Sequence, residues 1–426
     1  MAEYTINKYR TLFVRAKELY LEEKYEEAVT LLELIVKNDE TGYEAMFILG
    51  KIYYYGLNGS VNYDAAFKHL LVAAMNKNIE AAYLVGLCCY YGRGTEVDPT
   101  QAISWFEIAA KNSHTKAQYY MGLSYFEGKG AFKNINLALK WFLIAAKSKD
   151  VESMVKAGDC YEMLSKHHHA ATMYLAAAIE NDAYACEKIA DYYLNGLGIN
   201  KNTENALYFY KKGYENKNYN CAYKLGLIYV AGEIINTNYS RAFEYFEEAS
   251  NSGNKDAMYE LAKMYYRGLG CKVSYKMTLS LLKSQALENF PKALSLLGDI
   301  YQHPESSFIE EDPVTAKNYW VKASELGDGY AMCKLGFCYE TGYGVLKPNL
   351  RMAYDWYRLA SQNDYPEAKA ELKRFSRNLV GKIKLTGTPK TIERHINSET
   401  LVVSKNKENA TEEAKTLEPE KDAEAE

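Results

Sequence analysis

Nine times along this chain one pattern returns. "AMFILGKIYYYG" begins at Ala45, "AAYLVGLCCYYGRG" at Ala81, "AQYYMGLSYFEGKG" at Ala117 and "SMVKAGDCYEML" at Ser153. "ACEKIADYYLNGLG" follows at Ala185, "CAYKLGLIYVAG" at Cys221, "AMYELAKMYYRGLG" at Ala257, "ALSLLGDIY" at Ala293 and "AMCKLGFCYETGYG" at Ala331. Successive starts lie 36, 36, 36, 32, 36, 36, 36 and 38 residues apart. Such a period means that each copy is one supersecondary unit, which buries its apolar face only by stacking on its neighbours.

Within A-x-x-x-L-G-x-x-Y, the Ala, the apolar fifth residue and the Tyr share one face of a helix, here called helix A. The glycine beside them costs about 1 kcal/mol against alanine in a helix interior. Its use is steric: without a Cβ, a second helix can approach closely. A later glycine (Gly56, Gly92, Gly128, Gly196, Gly232, Gly268, Gly342) supplies the left-handed residue that ends helix A. The second half of each copy, as in "TQAISWFEIAAKN" and "NLALKWFLIAAKS", reads as helix B. Its aromatic column is expected at Trp105, Trp141, Tyr174, Phe209, Tyr245, Tyr319 and Trp356, with His69 and Leu281 departing. Each copy is thus an αα-hairpin.

At 426 residues the chain exceeds what one compact core organises, as a repeat array permits. A net charge of −4 gives no reason to expect nucleic acid. Forty Tyr against 14 Phe and 4 Trp suit helix interfaces that touch water. The charged start "MAEYTINKYRTLFVRAKELY" lacks the apolar core of a secretory signal, and no window suits a membrane span. Eight cysteines without constant spacing read as reduced, mostly buried thiols, so a cytoplasmic protein without membrane insertion is expected.

The unit A-x-x-x-L-G-x-x-Y-x-x-G-x-G, then Asp or Asn, then A-x-x-W/Y-x-x-x-A-A, resembles the Sel-1-like repeat family, relatives of tetratricopeptide repeats. The resemblance implies an all-α, right-handed αα-hairpin solenoid of nine repeats over residues 45–364. Residues 1–44 read as a tetratricopeptide-like capping hairpin with Leu12, Ala16, Leu19, Ala28, Leu31, Leu32 and Ile35 inward. Residues 365–380 read as a capping helix with Lys369, Lys373, Arg374 and Arg377 outward, and 381–426 as a disordered acidic tail. Departures concentrate in repeats four and eight: Leu164 replaces the helix-ending glycine, and "HPESSFIEEDP" replaces the glycine turn. Repeats five and seven carry Ala190 and Ala262 for the packing glycine.

No catalytic, metal or cofactor constellation emerges. Neighbouring residues His167, His168 and His169 diverge by about 100° on a helix and cannot share one ion, and "EGKG" lacks the phosphate-loop spacing. Some secreted members of the resembled family are linked to β-lactam binding or hydrolysis, with a cysteine pair in each unit; that pairing is missing here. Family members, by resemblance, link other proteins in signalling, secretion, quality control or envelope assembly. The expected function is therefore a monomeric, non-catalytic scaffold or adaptor for a protein or peptide partner. The alternatives are a hydrolase-like site at repeats four and eight, with His303, Glu310, Glu311 and Asp312 as first candidates, or a self-assembling structural protein.

The positions two and three residues after each starting Ala share the helix face left over from hairpin packing. They carry Phe47, Tyr83, Tyr119, Tyr120, Tyr223 and Tyr259, and the lysines Lys156, Lys188 and Lys224. Two readings are open. The residues pack on neighbouring repeats and meet solvent, or they form a concave surface whose aromatic anchors and Lys row take a partner with an acidic segment.

Overall fold

The computed structural model describes residues 2–38, 42–284, 287–304, 309–363, 365–377 and 383–385. The chain divides into two compact halves, Met1–Asn216 and Lys217–Glu426. In the first half, α1 (Ala2–Leu21) and α2 (Tyr25–Asn38) form a hairpin ahead of the repeats. Ala16, Leu19, Ala28, Leu32 and Ile35 are buried in it, and Leu12 and Leu31 pack against them, as the sequence pattern requires. Repeats one to five follow as α3 (Tyr43–Tyr55) with α4 (Tyr63–Met75), α5 (Ile79–Tyr91) with α6 (Pro99–Lys111), and α7 (Thr115–Glu127) with α8 (Ile135–Ala146). Then come α9 (Val151–Met163) with α10 (His167–Ile179), and α11 (Ala183–Asn195) with α12 (Thr203–Glu215). The second half holds α13 (Tyr219–Ala231) with α14 (Tyr239–Asn251) and α15 (Lys255–Arg267) with α16 (Tyr275–Leu282). It continues with α17 (Pro291–Gln302) and α18 (Pro313–Glu325), then α19 (Gly329–Thr341) and α20 (Leu350–Gln362). Each half is an αα-hairpin solenoid.

The helix ends are written in the sequence. Asp98 accepts the Gln101 amide at 2.9 Å and Asn134 the Leu137 amide at 3.0 Å, so each starts its helix B with a side-chain cap. All seven expected helix-ending glycines adopt the left-handed conformation. Repeat four, lacking one, passes the left-handed turn to Ser165 (φ 55°) and still forms its hairpin.

The packing glycine works as a slot for a ring. A Cβ built on Gly122 would lie 2.6 Å from the ring of Phe142, and Gly86, Gly158, Gly226, Gly298 and Gly336 face Phe106, Tyr174, Phe246, Trp320 and Tyr357 in the same way. These rings sit four residues after a small residue that opens helix B, and all but Tyr174 stand one later than the expected column. At 3.6 residues per turn, the fourth residue falls about 40° from the buried Ala, whereas the third falls about 60° away on the other side. Hence Trp105, Trp141, Tyr245, Tyr319 and Trp356 are only half-buried, Phe209 is buried beside Tyr210, and Tyr174 is itself the slotted ring.

The C-terminal end corrects the expected capping helix. Among the described residues of that segment only Ala368–Leu372 is helical (α21), and Phe375–Arg377 (β1) then pairs antiparallel with Ile383–Leu385 (β2), the latter inside the segment expected as tail. The strand places Phe375 against Tyr354 and Tyr357, each 5.8 Å away between ring centres. Lys369 and Lys373 are exposed, but Arg374 is turned inward, its side chain only 11% exposed, and paired with Glu340 and Glu371. Residues 386–426, expected as the rest of the acidic tail, lie outside the described residues.

Candidate partner-binding face

Two of the three nominated lysines are neutralised from within the fold. Lys156 pairs with Asp159 at 3.0 Å and lies 5.3 Å from the Phe126 ring centre. Lys188 on α11 reaches back to Glu162 on α9 at 2.8 Å. Burial pulls its ammonium down, but Glu162 and Tyr184 outweigh it, so its pKa is raised and the charge is held. The same backward reach recurs in the second half, where Lys334 on α19 lies 3.5 Å from Asp299 and 3.0 Å from Gln302 Oε1 on α17, all buried. Lys224 is half-buried on α13 and is likewise not free. Lys188 and Lys334, each three residues after the starting Ala of its repeat, thus tie successive hairpins together, whereas Lys156 pairs within its own helix.

The nominated aromatics divide in a similar way. Phe47 is half-buried under Lys51, Tyr223 packs 6.0 Å from Phe246, and Tyr259 is buried beside Phe290. Tyr83, Tyr119 and Tyr120 are half-buried but belong to one continuous sheet of rings. Tyr120 stacks on Phe106 at 5.0 Å and meets Tyr83, Tyr90 and Tyr119 edge-on or tilted. Tyr83 stacks at 4.5 Å on His114, whose Nδ1 accepts the Ala117 amide and caps α7. The other ring nitrogen of His114 lies 2.9 Å from Glu80 and holds that carboxyl below its usual range. Burial pushes the Tyr119 phenol up to about 12, and those of Tyr83, Tyr90 and Tyr120 upward as well, so all stay protonated donors.

What the sequence reading missed lies ten residues after the starting Ala. Tyr55 and Tyr91 end α3 and α5 and leave 50% and 46% of their surface in water. Two cations frame them. Arg93 donates to Tyr54 Oη at 2.6 Å and lies 4.9–5.5 Å from the ring centres of Tyr54, Tyr63 and Tyr91. Lys129 sits 3.6 Å from the centre of Tyr90 and 5.5 Å from that of Tyr91. Each cation comes from the loop of one repeat and covers a tyrosine of the repeat before it, which fixes the register of the rings. The signal was available as Tyr-Tyr-Gly at the end of two helices, but nothing linear says which Tyr faces out.

Chemical alternatives find little material. Burial pushes the thiols of Cys88 and Cys160 up to about 12, so thiolate is scarce at neutral pH. Among the described residues no three His, Cys, Asp or Glu side chains converge on a metal position. His168 spends Nδ1 on the Gly198 carbonyl at 3.0 Å. Of the candidates at repeat eight, Asp312 caps α18, Glu311 meets the Tyr343 hydroxyl, and Glu310 and His303 are exposed.

Stacked hairpins with inter-repeat locks and an exposed aromatic edge define an αα-hairpin repeat protein. The Sel1 repeat model matches residues 44–78, 79–114, 115–150, 183–218, 220–254, 255–284, 291–328 and 329–365, about two-thirds of the chain, and the chain belongs to the Sel1 repeat family. The model passes over α9 and α10, the hairpin of the shortened fourth repeat. Chitin synthase regulatory factor 2 of Schizosaccharomyces pombe is 27% identical over 209 residues, 48% of this chain and 35% of that protein. The chain therefore matches about a third of that relative's length. Among solved structures, a protective antigen of uropathogenic Escherichia coli with an SLR fold gives a TM-score of 0.57 at 23% identity, covering 81% of this chain and 82% of its own. A Sel1 repeat protein from Oxalobacter formigenes gives 0.43 at 21% identity, covering 78% and 86%. Among the described residues no helix is long and apolar enough to cross a membrane.

Proposed function

We propose that this chain is a non-catalytic cytoplasmic scaffold or adaptor that holds a partner protein against the aromatic edge of repeats one to three. The observation that carries this reading is the pair Tyr55 and Tyr91, half in water and each resting on a tyrosine that a loop cation covers. Rigid aromatic anchors with a charged rim dominate binding energy at protein interfaces. Sel1 repeats generally mediate protein–protein interaction, which fits a surface of this kind. The expectation of an acidic partner segment moves from Lys156 and Lys188, whose charges are spent, to Arg93 and Lys129, which have no carboxylate in ion-pair range among the described residues.

The test is affinity purification of the full chain from its native cells, beside a Tyr55→Ser/Tyr91→Ser variant. Both side chains are half-exposed, so the variant keeps its helical circular dichroism. A partner held by the wild type and depleted about tenfold or more from the variant supports the reading, since two lost anchors remove at least 1.4 kcal/mol. Equal retention of every partner overturns it.

A further inference from the structure

The second half carries a surface of its own, in the loop of repeat nine. Fifteen residues after the starting Ala, this loop places Leu346, whose side chain is fully exposed (103%). The equivalent position is polar in most repeats: Ser60, Glu96, Asn200, Asn236 and Lys272. One exposed apolar side chain is ordinary. Here three converge, because Val314 at the start of α18 (56% exposed) and Met352 in the first turn of α20 (40%) line the same open cleft of about 760 Å³. Tyr339 forms its floor, and Lys317 and Lys347 stand at its walls. No carboxylate lines it, and neither lysine has an ion-pair partner among the described residues. Asp312, which starts α18, has its carboxylate committed to the Val314 and Thr315 amides.

Repeat three carries the same device. Its loop exposes Phe132 (98%) over a cleft of about 660 Å³ lined by Tyr125, Lys133 and Leu137. In both places an apolar tip, a tyrosine floor and unpaired lysine charge replace what elsewhere is a polar turn. Apolar surface that a fold leaves in water beside unbalanced positive charge is complementary to a ligand with the opposite arrangement.

We propose that the repeat-nine cleft is a docking site for an extended peptide segment of a partner protein, carrying large apolar side chains between carboxylates. The apolar side chains cover Leu346, Val314 and Met352, and the flanking carboxylates meet Lys317 and Lys347. This contact is separate from the aromatic edge of repeats one to three, so an adaptor of this design holds two partners or two segments of one.

The test uses the full chain with 13C-methyl methionine and two probe peptides, acetyl-Glu-Leu-Phe-Glu-amide and acetyl-Lys-Leu-Phe-Lys-amide. The Met352 methyl resonance, assigned by Met352→Leu, reads occupancy directly. The expected result is a saturable shift of that signal with the acidic peptide, and at least about fivefold weaker binding of the basic one. Leu346→Ser and Lys347→Glu, both at exposed positions, each weaken the acidic peptide about fivefold or more while the other methionine signals stay in place. An unmoved Met352 signal at millimolar peptide, or an equal response to both peptides, overturns the proposal. Tyr55→Ser/Tyr91→Ser leaves this titration unchanged, which separates the site from the aromatic edge.

Discussion

Gly122→Ala tests the packing logic of the repeat in one methyl group. The new Cβ lies 2.6 Å from two carbons of the Phe142 ring, where ordinary contact needs about 3.5–4.0 Å. Ring and helix must therefore part by about 1 Å. Phe142 is fully buried, with Tyr119 and Phe126 at 5.7 and 6.3 Å, so it has no space to retreat into. Overpacking of this kind costs about 1–3 kcal/mol, and the better helix propensity of alanine returns about 1. The expected net is a loss of about 1 kcal/mol, or about 0.5 M in the urea midpoint for a slope near 2 kcal/mol/M. Repeats five and seven carry Ala190 and Ala262 at this place, and repeat seven pairs its alanine with Leu282 rather than a ring. Phe142→Leu should accordingly cost less in the G122A background than alone, with a coupling of about 1 kcal/mol. A rise in the urea midpoint for Gly122→Ala would refute the steric role, because propensity alone would then decide.

Lys334→Met leaves Asp299 buried without its cation, so we expect a loss of about 3–5 kcal/mol, recovered only in part in the Lys334→Met/Asp299→Leu pair because the Tyr330 hydroxyl then loses its acceptor, both read by urea unfolding. Arg374→Ala should expose the C-terminal segment beyond α20 to limited proteolysis while the repeats stay intact, because Arg374 joins Glu340 of α19 to Glu371. The Glu80 carboxyl is held below its ordinary 4.5 by His114, so its contribution is present at neutral pH and lost as pH falls from about 4.5 through the folded value. Its side chain is 41% exposed, so the effect stays under about 1 kcal/mol and shows as a shallower acid loss of Tm in Glu80→Gln. Seven of the eight cysteines are buried, so Ellman's reagent should modify at most Cys271 promptly in the native chain and all eight in guanidinium.

Much of the fold was legible because its devices are local. The helix-ending glycines and the Asp or Asn caps each act within one turn, and a single repeat displays them. What stayed hidden acts between turns or between repeats. The choice between Trp141 and Phe142 for the glycine slot depends on a 100° step around helix B. The pairing of Lys188 with Glu162 spans 26 residues, so a row of lysines in the sequence looked like free charge. Tyr55 and Tyr91 went unnoticed because the expected face was taken from the start of helix A, and the exposed rings stand at its end. Phe375 and Arg374 broke the expected cap for a related reason. An aromatic and a cation followed the helix, and their partners Tyr357 and Glu340 lie in the last repeat.

The most direct measurement is site-specific photo-crosslinking of the full chain inside its native cells, with p-benzoylphenylalanine in place of Tyr91 and, as control, of Ser104. Ser104 is exposed on α6, the helix B packed against α5. Capture of a discrete protein from position 91 and none from position 104 is the expected result. Equal capture from both positions, or capture from position 104 alone, would contradict a partner seated on the aromatic edge.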